Sequence, residues 1–81
     1  MAQINLENFK RFEKERNTVH NKVAATYSVF EMHGEKYFQI DSYGNSDREI
    51  PGKISQSFQM DKKTAEYLVN LITKEFNLKQ R

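Results

Sequence analysis

The chain of 81 residues contains no cysteine and no tryptophan, one proline and three glycines. Without cysteine there is neither a disulfide framework nor a thiolate metal site, and the composition fits a reducing compartment. No apolar run approaches the roughly 20 residues that span a bilayer, and the opening Met1-Ala2-Gln3-Ile4-Asn5 lacks the basic-then-apolar order of a signal peptide. The expectation is a soluble, cytoplasmic protein with no membrane association. Glycine is too sparse for a phosphate-cradling loop, since Gly34, Gly44 and Gly52 are far apart and each fits a turn.

What the chain does have is bulk in few residues. Hydrophobic residues make up 37% and charged residues 30%, yet six Phe and four Tyr supply enough apolar volume for one small core. A domain this short and cysteine-free usually gains stability from self-association, so a single domain over residues 1–81, acting as a homodimer, is expected. Net charge is +2, but its placement matters more than its sum. Residues 1–22 hold five basic and three acidic residues, residues 61–81 likewise, and residues 23–60 hold three basic and five acidic. The basic surplus belongs to the two ends.

Periodicity divides the chain into helix, sheet and helix. Leu6, Phe9 and Phe12 recur on one face of a helix expected over residues 5–17, with Asn5 as N-cap and Ile4 and Phe9 arranged as a hydrophobic staple. From Lys22 to Met32 the period changes to two, His33-Gly34 supplies a turn, and Lys36 to Ser42 resumes as the second strand of a hairpin. Tyr43 to Asp47 and Pro51-Gly52 read as turns, with Arg48-Glu49-Ile50 a very short strand or a loop between them. Lys53 to Met60 alternates again. Asp61 then stands at an N-cap, and Ala65, Leu68, Val69, Ile72 and Phe76 form the apolar stripe of a helix expected over residues 62–77. The fold class is therefore α+β: an N-terminal helix, a three- to four-stranded antiparallel sheet over 22–60, and a C-terminal amphipathic helix packed on the sheet.

Catalytic constellations are thin. His20 and His33 have no metal-ligand spacing and read as exposed turn or strand-edge residues. Asp41, Asp47 and Glu49 near Gly44 do not reproduce a calcium loop and read as turn-capping carboxylates. The serines have no nucleophile-elbow context. No enzyme, no metal and no cofactor is expected.

A binding surface has more substance. If Val23, Ala25, Tyr27 and Val29 pack with Phe38, Ile40, Ile54 and Phe58 beneath the final helix, the opposite face displays Thr26, Ser28, Phe30, Tyr37, Gln39, Tyr43, Ser55, Ser57 and Gln59. Aromatics among small hydrogen-bonding residues form a stacking platform for single-stranded nucleic acid, each base contributing roughly 1–3 kcal/mol. On this reading Phe30, Tyr37 and Tyr43 stack bases while Lys36, Arg48 and Lys53 hold phosphates. Alternatively, the helix over 5–17 covers that face and makes it a second core layer. A different class of function, a protein interaction module that docks on a partner through its helices or a sheet edge, stays open.

The stretch from Tyr27 to Phe76 resembles the C-terminal domain of the transcriptional positive cofactor four family, in its strand, the turn at Gly34, Lys36-Tyr37-Phe38-Gln39-Ile40-Asp41, Pro51-Gly52-Lys53-Ile54-Ser55 and the Met60-Asp61 step into an amphipathic helix. The resemblance implies a small sheet backed by a helix that dimerises and binds single-stranded DNA. Lys36 and Tyr37 match the family's basic and aromatic strand positions, and Pro51-Gly52-Lys53 its basic loop. Two features depart from that pattern: residues 23–60 sum to −2, and Asp41-Ser42-Tyr43 lacks the arginine expected after the strand's aspartate. The segment Glu35 to Asp41, with Gly44 and Ser46-Asp47-Arg48, is also similar to short uncharacterised bacterial proteins, some labelled methionyl-tRNA formyltransferase. Eighty-one residues are too few for a folate-binding domain, so the resemblance implies a compact bacterial or phage-type domain rather than that activity.

Overall fold

A computed structural model describes residues 1–44 and 53–79. Four strands and one α-helix follow the order β1 (Ala2–Gln3), β2 (Ala25–Met32), β3 (Glu35–Tyr43), β4 (Ile54–Met60) and α1 (Lys62–Phe76), with a 3₁₀ turn at Leu6–Asn8. In the sheet the order is β1-β4-β3-β2. β2, β3 and β4 are antiparallel neighbours, but β1 runs parallel to β4, pairing Ala2 with Phe58 and Gln3 with Gln59. The sheet is mixed, not antiparallel as expected. Its fourth strand comes from the chain's first residues, and the proposed strand at Arg48-Glu49-Ile50 lies outside the described residues.

The N-terminal helix expected over 5–17 does not form. Asn5 does cap, its side chain accepting from the Glu7 N–H at 3.1 Å, but it caps one 3₁₀ turn that ends at Phe9 in extended geometry. Three tertiary contacts hold this stretch: the Ile4 N–H donates to the Gln59 carbonyl at 2.9 Å, the Phe9 ring meets Tyr67 of α1 edge-on at 5.9 Å, and the Arg11 guanidinium reaches Glu75 of α1 at 3.4 Å. An isolated helix of this length is marginal unless its apolar face packs. Here the stripe has only three members, and Phe12 stays exposed.

The β2–β3 hairpin matches its sequence signal closely. His33 (φ 54°) and Gly34 (φ 81°) are both left-handed, the two-residue turn whose twist suits antiparallel strands. At the other end β3 shifts register between Ser42 and Tyr43, where the Tyr43 N–H donates to the Ala24 carbonyl at 3.0 Å. Helix α1 begins at Asp61, whose carboxylate accepts the Thr64 N–H at 2.9 Å. It ends at Asn77, which is left-handed, with the Leu78 N–H donating to the Thr73 carbonyl at 2.9 Å.

Register sorts the side chains onto two faces. Thr26, Ser28 and Phe30 lie across from Asp41, Gln39 and Tyr37, and Asp41 and Gln39 in turn from Ser57 and Gln59. On this face Asp41 and Ser57, in the two central strands, are buried. The other face carries Tyr27, Val29, Phe38, Ile40, Phe58 and Met60. It was expected to be the core beneath the helix, yet Tyr27 is 70% exposed and Phe58 46%, with Val29, Ile40 and Ile54 also exposed. Met60, at 5%, is the one buried hydrophobic side chain among the described residues.

Candidate nucleic-acid interface

The structure divides the residues expected to bind nucleic acid. Phe30 and Tyr37 are directly paired across β2 and β3 and their rings stack at 5.5 Å, 25° from parallel. Both are half-buried. Tyr43 lies at the far end of the same strip, where its hydroxyl and that of Thr26 are 3.1 Å apart. Between these ends Ser28 and Thr26 are exposed along β2. The open part of this face is therefore a narrow strip over β2 and the adjoining edge of β3.

The middle of the expected platform is not available for bases. Gln59 Nε2 donates to Gln39 Oε1 at 2.8 Å, Gln39 Nε2 donates to Asp41 Oδ1 at 2.9 Å, and Ser57 Oγ donates to the same oxygen at 2.5 Å. Each side chain in this ladder has at least one neighbour as hydrogen-bond partner, as burial requires. Asp41 thus sits inside a strand as a shared acceptor and does not cap a turn; Asp47 and Glu49 lie outside the described residues. Among the described residues no group of three His, Asp or Glu is placed to hold a metal ion, and no helix is long and apolar enough to cross a membrane.

Cations are distributed differently from the aromatics. Lys36 pairs with Glu31 and shares the face of Phe38, opposite Tyr37. Lys53 is exposed just ahead of β4, and Arg48 lies outside the described residues. The basic surplus that the sequence places at the N-terminal end stands ahead of β2: Lys10, Lys14, Arg16 and Lys22 are exposed on a stretch without helix or strand. Arg11, in the same stretch, is engaged by Glu13 and, at 3.4 Å, by Glu75. Helical periodicity put Lys10 and Lys14 on the outer face of a helix over 5–17 and Lys22 at the start of the first strand, neither of which forms there.

One group at the strip has a shifted proton affinity. The Tyr37 hydroxyl donates to the Glu35 carboxylate at 2.8 Å, and this bond, followed by desolvation, raises the phenol above its ordinary value of 10.0. The Tyr37 ring is held as a neutral phenol across the physiological range, and a phenol stacks on a base without adding charge near a phosphate.

A second aromatic pair went unremarked in the sequence. Tyr27 and Phe38 stack at 5.4 Å, 16° from parallel, on the opposite face. They are diagonal neighbours, because Tyr27 pairs with Ile40 and Phe38 with Val29. Alternation alone placed them in the core. Beside them Val29, Phe38 and Met60 meet Lys62 and Ala65 around an open cleft of about 390 Å³.

Comparison with protein-family models, with curated proteins and with solved structures finds no match for the chain.

Proposed function

We propose that this chain is a non-enzymatic binding protein for single-stranded nucleic acid, which it receives along the strip that runs from Phe30 and Tyr37 to Tyr43. The observation that carries this reading is the stacked Phe30–Tyr37 pair at the open side of the sheet, continued by the exposed hydroxyls of Ser28 and Thr26. Aromatic rings next to neutral hydrogen-bonding groups suit bases, whose faces all stack regardless of sequence. The phosphates are met by Lys22 and the basic residues before it, which lead directly into β2. The resemblance of Tyr27–Phe76 to the positive cofactor four domain supports the same function. Binding is modest, because Glu35 stands beside Tyr37 and the sheet segment carries more acidic than basic residues.

A fluorescence-polarisation titration with a labelled single-stranded oligonucleotide at two salt concentrations tests the proposal. Binding at low salt that weakens as salt rises is expected, and Phe30→Ala and Tyr37→Ala each lower affinity about 5- to 100-fold, the worth of one stacked base. Lys14→Ala with Lys22→Ala flattens the dependence on salt by about 0.7 per lysine on logarithmic axes. Absence of binding at low salt overturns the proposal.

A further inference from the structure

An acidic residue at the stacking pair is the feature that nucleic-acid binding leaves unexplained. Glu35 lies two residues before Tyr37 on the same face of β3, at the hairpin end of the strip. It is exposed, and the ion pairs among the described residues are all made by Arg11, so no cation offsets its charge. Beside a phosphate such a carboxylate only repels. Beside the edge of a base it is a strong acceptor with nothing to donate. We infer that Glu35 is the base-reading residue of the strip and that it selects guanine, an inference that rests on the nucleic-acid binding proposed above.

The hydrogen bond between the two side chains sets where the carboxylate stands. The Tyr37 hydroxyl donates to Glu35 Oε1 at 2.8 Å, and because that hydroxyl is at the far end of the ring, the carboxylate is held at the ring's rim. A base stacked on Tyr37 keeps its face to the ring and presents an edge at that rim. The same bond raises the phenol's pKa, so the hydroxyl goes on donating across the physiological range. Oε2 accepts from no other group among the described residues, and a carboxylate has about four acceptor positions. Most of that capacity is left for a ligand. The other groups on this face are less selective: Gln39 and Gln59 are engaged with each other and with Asp41, while the hydroxyls of Ser28 and Thr26 both donate and accept.

An acceptor-only group separates the bases by their pairing edges. Guanine carries a ring N–H and an exocyclic amino group side by side, two donors that match the two oxygens of a carboxylate. Adenine and cytosine each set one amino donor beside a bare ring nitrogen, whose lone pair opposes the second oxygen. Thymine and uracil flank a single N–H with carbonyls on both sides. Guanine alone meets Glu35 with no acceptor turned against it.

Fluorescence polarisation at low salt, comparing a short run of thymines with the same run carrying one internal guanine, tests the inference. The guanine strand is expected to bind about 5- to 20-fold more tightly, the lower part of what one bidentate base contact supplies, since Glu35 is open to water. In the unaltered protein hypoxanthine, which lacks the exocyclic amino group, loses most of that gain, whereas a deazaguanine altered only at the Hoogsteen nitrogen keeps it. Glu35→Gln still accepts from the Tyr37 hydroxyl but carries no charge, and it is expected to abolish the preference without weakening the thymine run. Tyr37→Phe keeps the ring, releases the carboxylate and reduces the preference. Equal affinity for the two strands overturns guanine selection while the strip stands as a non-selective site. A preference that survives Glu35→Gln, hypoxanthine bound as well as guanine, or a preference lost with the deazaguanine overturns it too, the last assigning the contact to a cation. An equal loss for both strands in Glu35→Gln also overturns it, by assigning Glu35 to holding the ring. Absence of binding by both strands overturns the strip itself and guanine selection with it.

Discussion

Asp61 joins β4 to α1 with a single side chain. Its carboxylate accepts the Thr64 N–H, and this bond holds its pKa below the ordinary 3.8. Because the folded value is the lower one, the carboxylate contributes its full stabilisation above pH 3.8. As pH falls below that point the unfolded chain takes up the proton first, and the contribution is gone once the folded carboxyl is protonated. Asn in place of Asp keeps a capping oxygen but cannot titrate. Asp61→Asn is therefore expected to lose only the charge–dipole part, about 0.3–1 kcal/mol at neutral pH. In thermal melts, the gap between the two proteins narrows as pH drops through 3.8; a gap of constant size down to pH 2 contradicts this account. Every other carboxyl is common to both proteins and cancels in the comparison. Asp61 was legible in the sequence because a capping signal is local. Asp41 was not, since its partner Ser57 comes from another strand, and nothing near Asp41 in the sequence distinguishes a shared buried acceptor from a turn carboxylate.

Among the elements, those with a strong local signal stand where periodicity placed them. The expected helix over 62–77 is observed at Lys62–Phe76, and the hairpin turns at His33-Gly34. Gly34 is the position where backbone chemistry is most demanding, because φ of 81° excludes ordinary side chains even though a Cβ there would meet nothing within 4 Å. Gly34→Ala is expected to cost about 1 kcal/mol from conformation alone, seen as a Tm lowered by roughly 4–8 °C for a domain of this size; an unchanged Tm would show that the turn is not formed as described. The N-terminal stretch shows the limit of the same logic. Leu6, Phe9 and Phe12 have helical spacing, but spacing records only which residues would share a face and not whether any surface waits to cover it. Here Phe9 finds Tyr67 on its own, and the pairing of Ala2–Gln3 with β4 has no periodic signature in two residues.

At the scale of the whole molecule, alternation in the strands revealed two faces but not which of them the helix shields. Both faces carry aromatics, so composition could not decide. Among the described residues Asp41 and Ser57 of the polar ladder are buried, whereas Tyr27, Val29, Ile40, Ile54 and Phe58 of the apolar face are exposed and Met60 of that face is buried. The stacking strip survives only over β2 and the adjoining edge of β3, between the Phe30–Tyr37 pair and Tyr43. What was legible of the candidate site is the pairing of Phe30 with Tyr37, a consequence of hairpin register. The separation of Lys36 from Tyr37 follows equally from strand alternation; what was not legible is the ladder of Gln59, Gln39, Asp41 and Ser57 that closes the middle of the platform, since its partners come from two strands.

The parallel pairing of β1 with β4 has a consequence in time. The β2–β3 hairpin closes through a two-residue turn and pays little loop entropy, whereas β1 meets β4 only when Ala2 reaches Phe58, with both strands of the hairpin between them in the chain. Contacts of such long range form late, on the native side of the folding barrier. Ile4→Pro, which removes the N–H that donates to the Gln59 carbonyl, is expected to speed unfolding several-fold in stopped-flow measurements while leaving the folding rate unchanged. A variant that folded more slowly instead would place the chain's first residues in the folding nucleus. The two residues of β1 thus act as the latch of this fold, fastened last and released first.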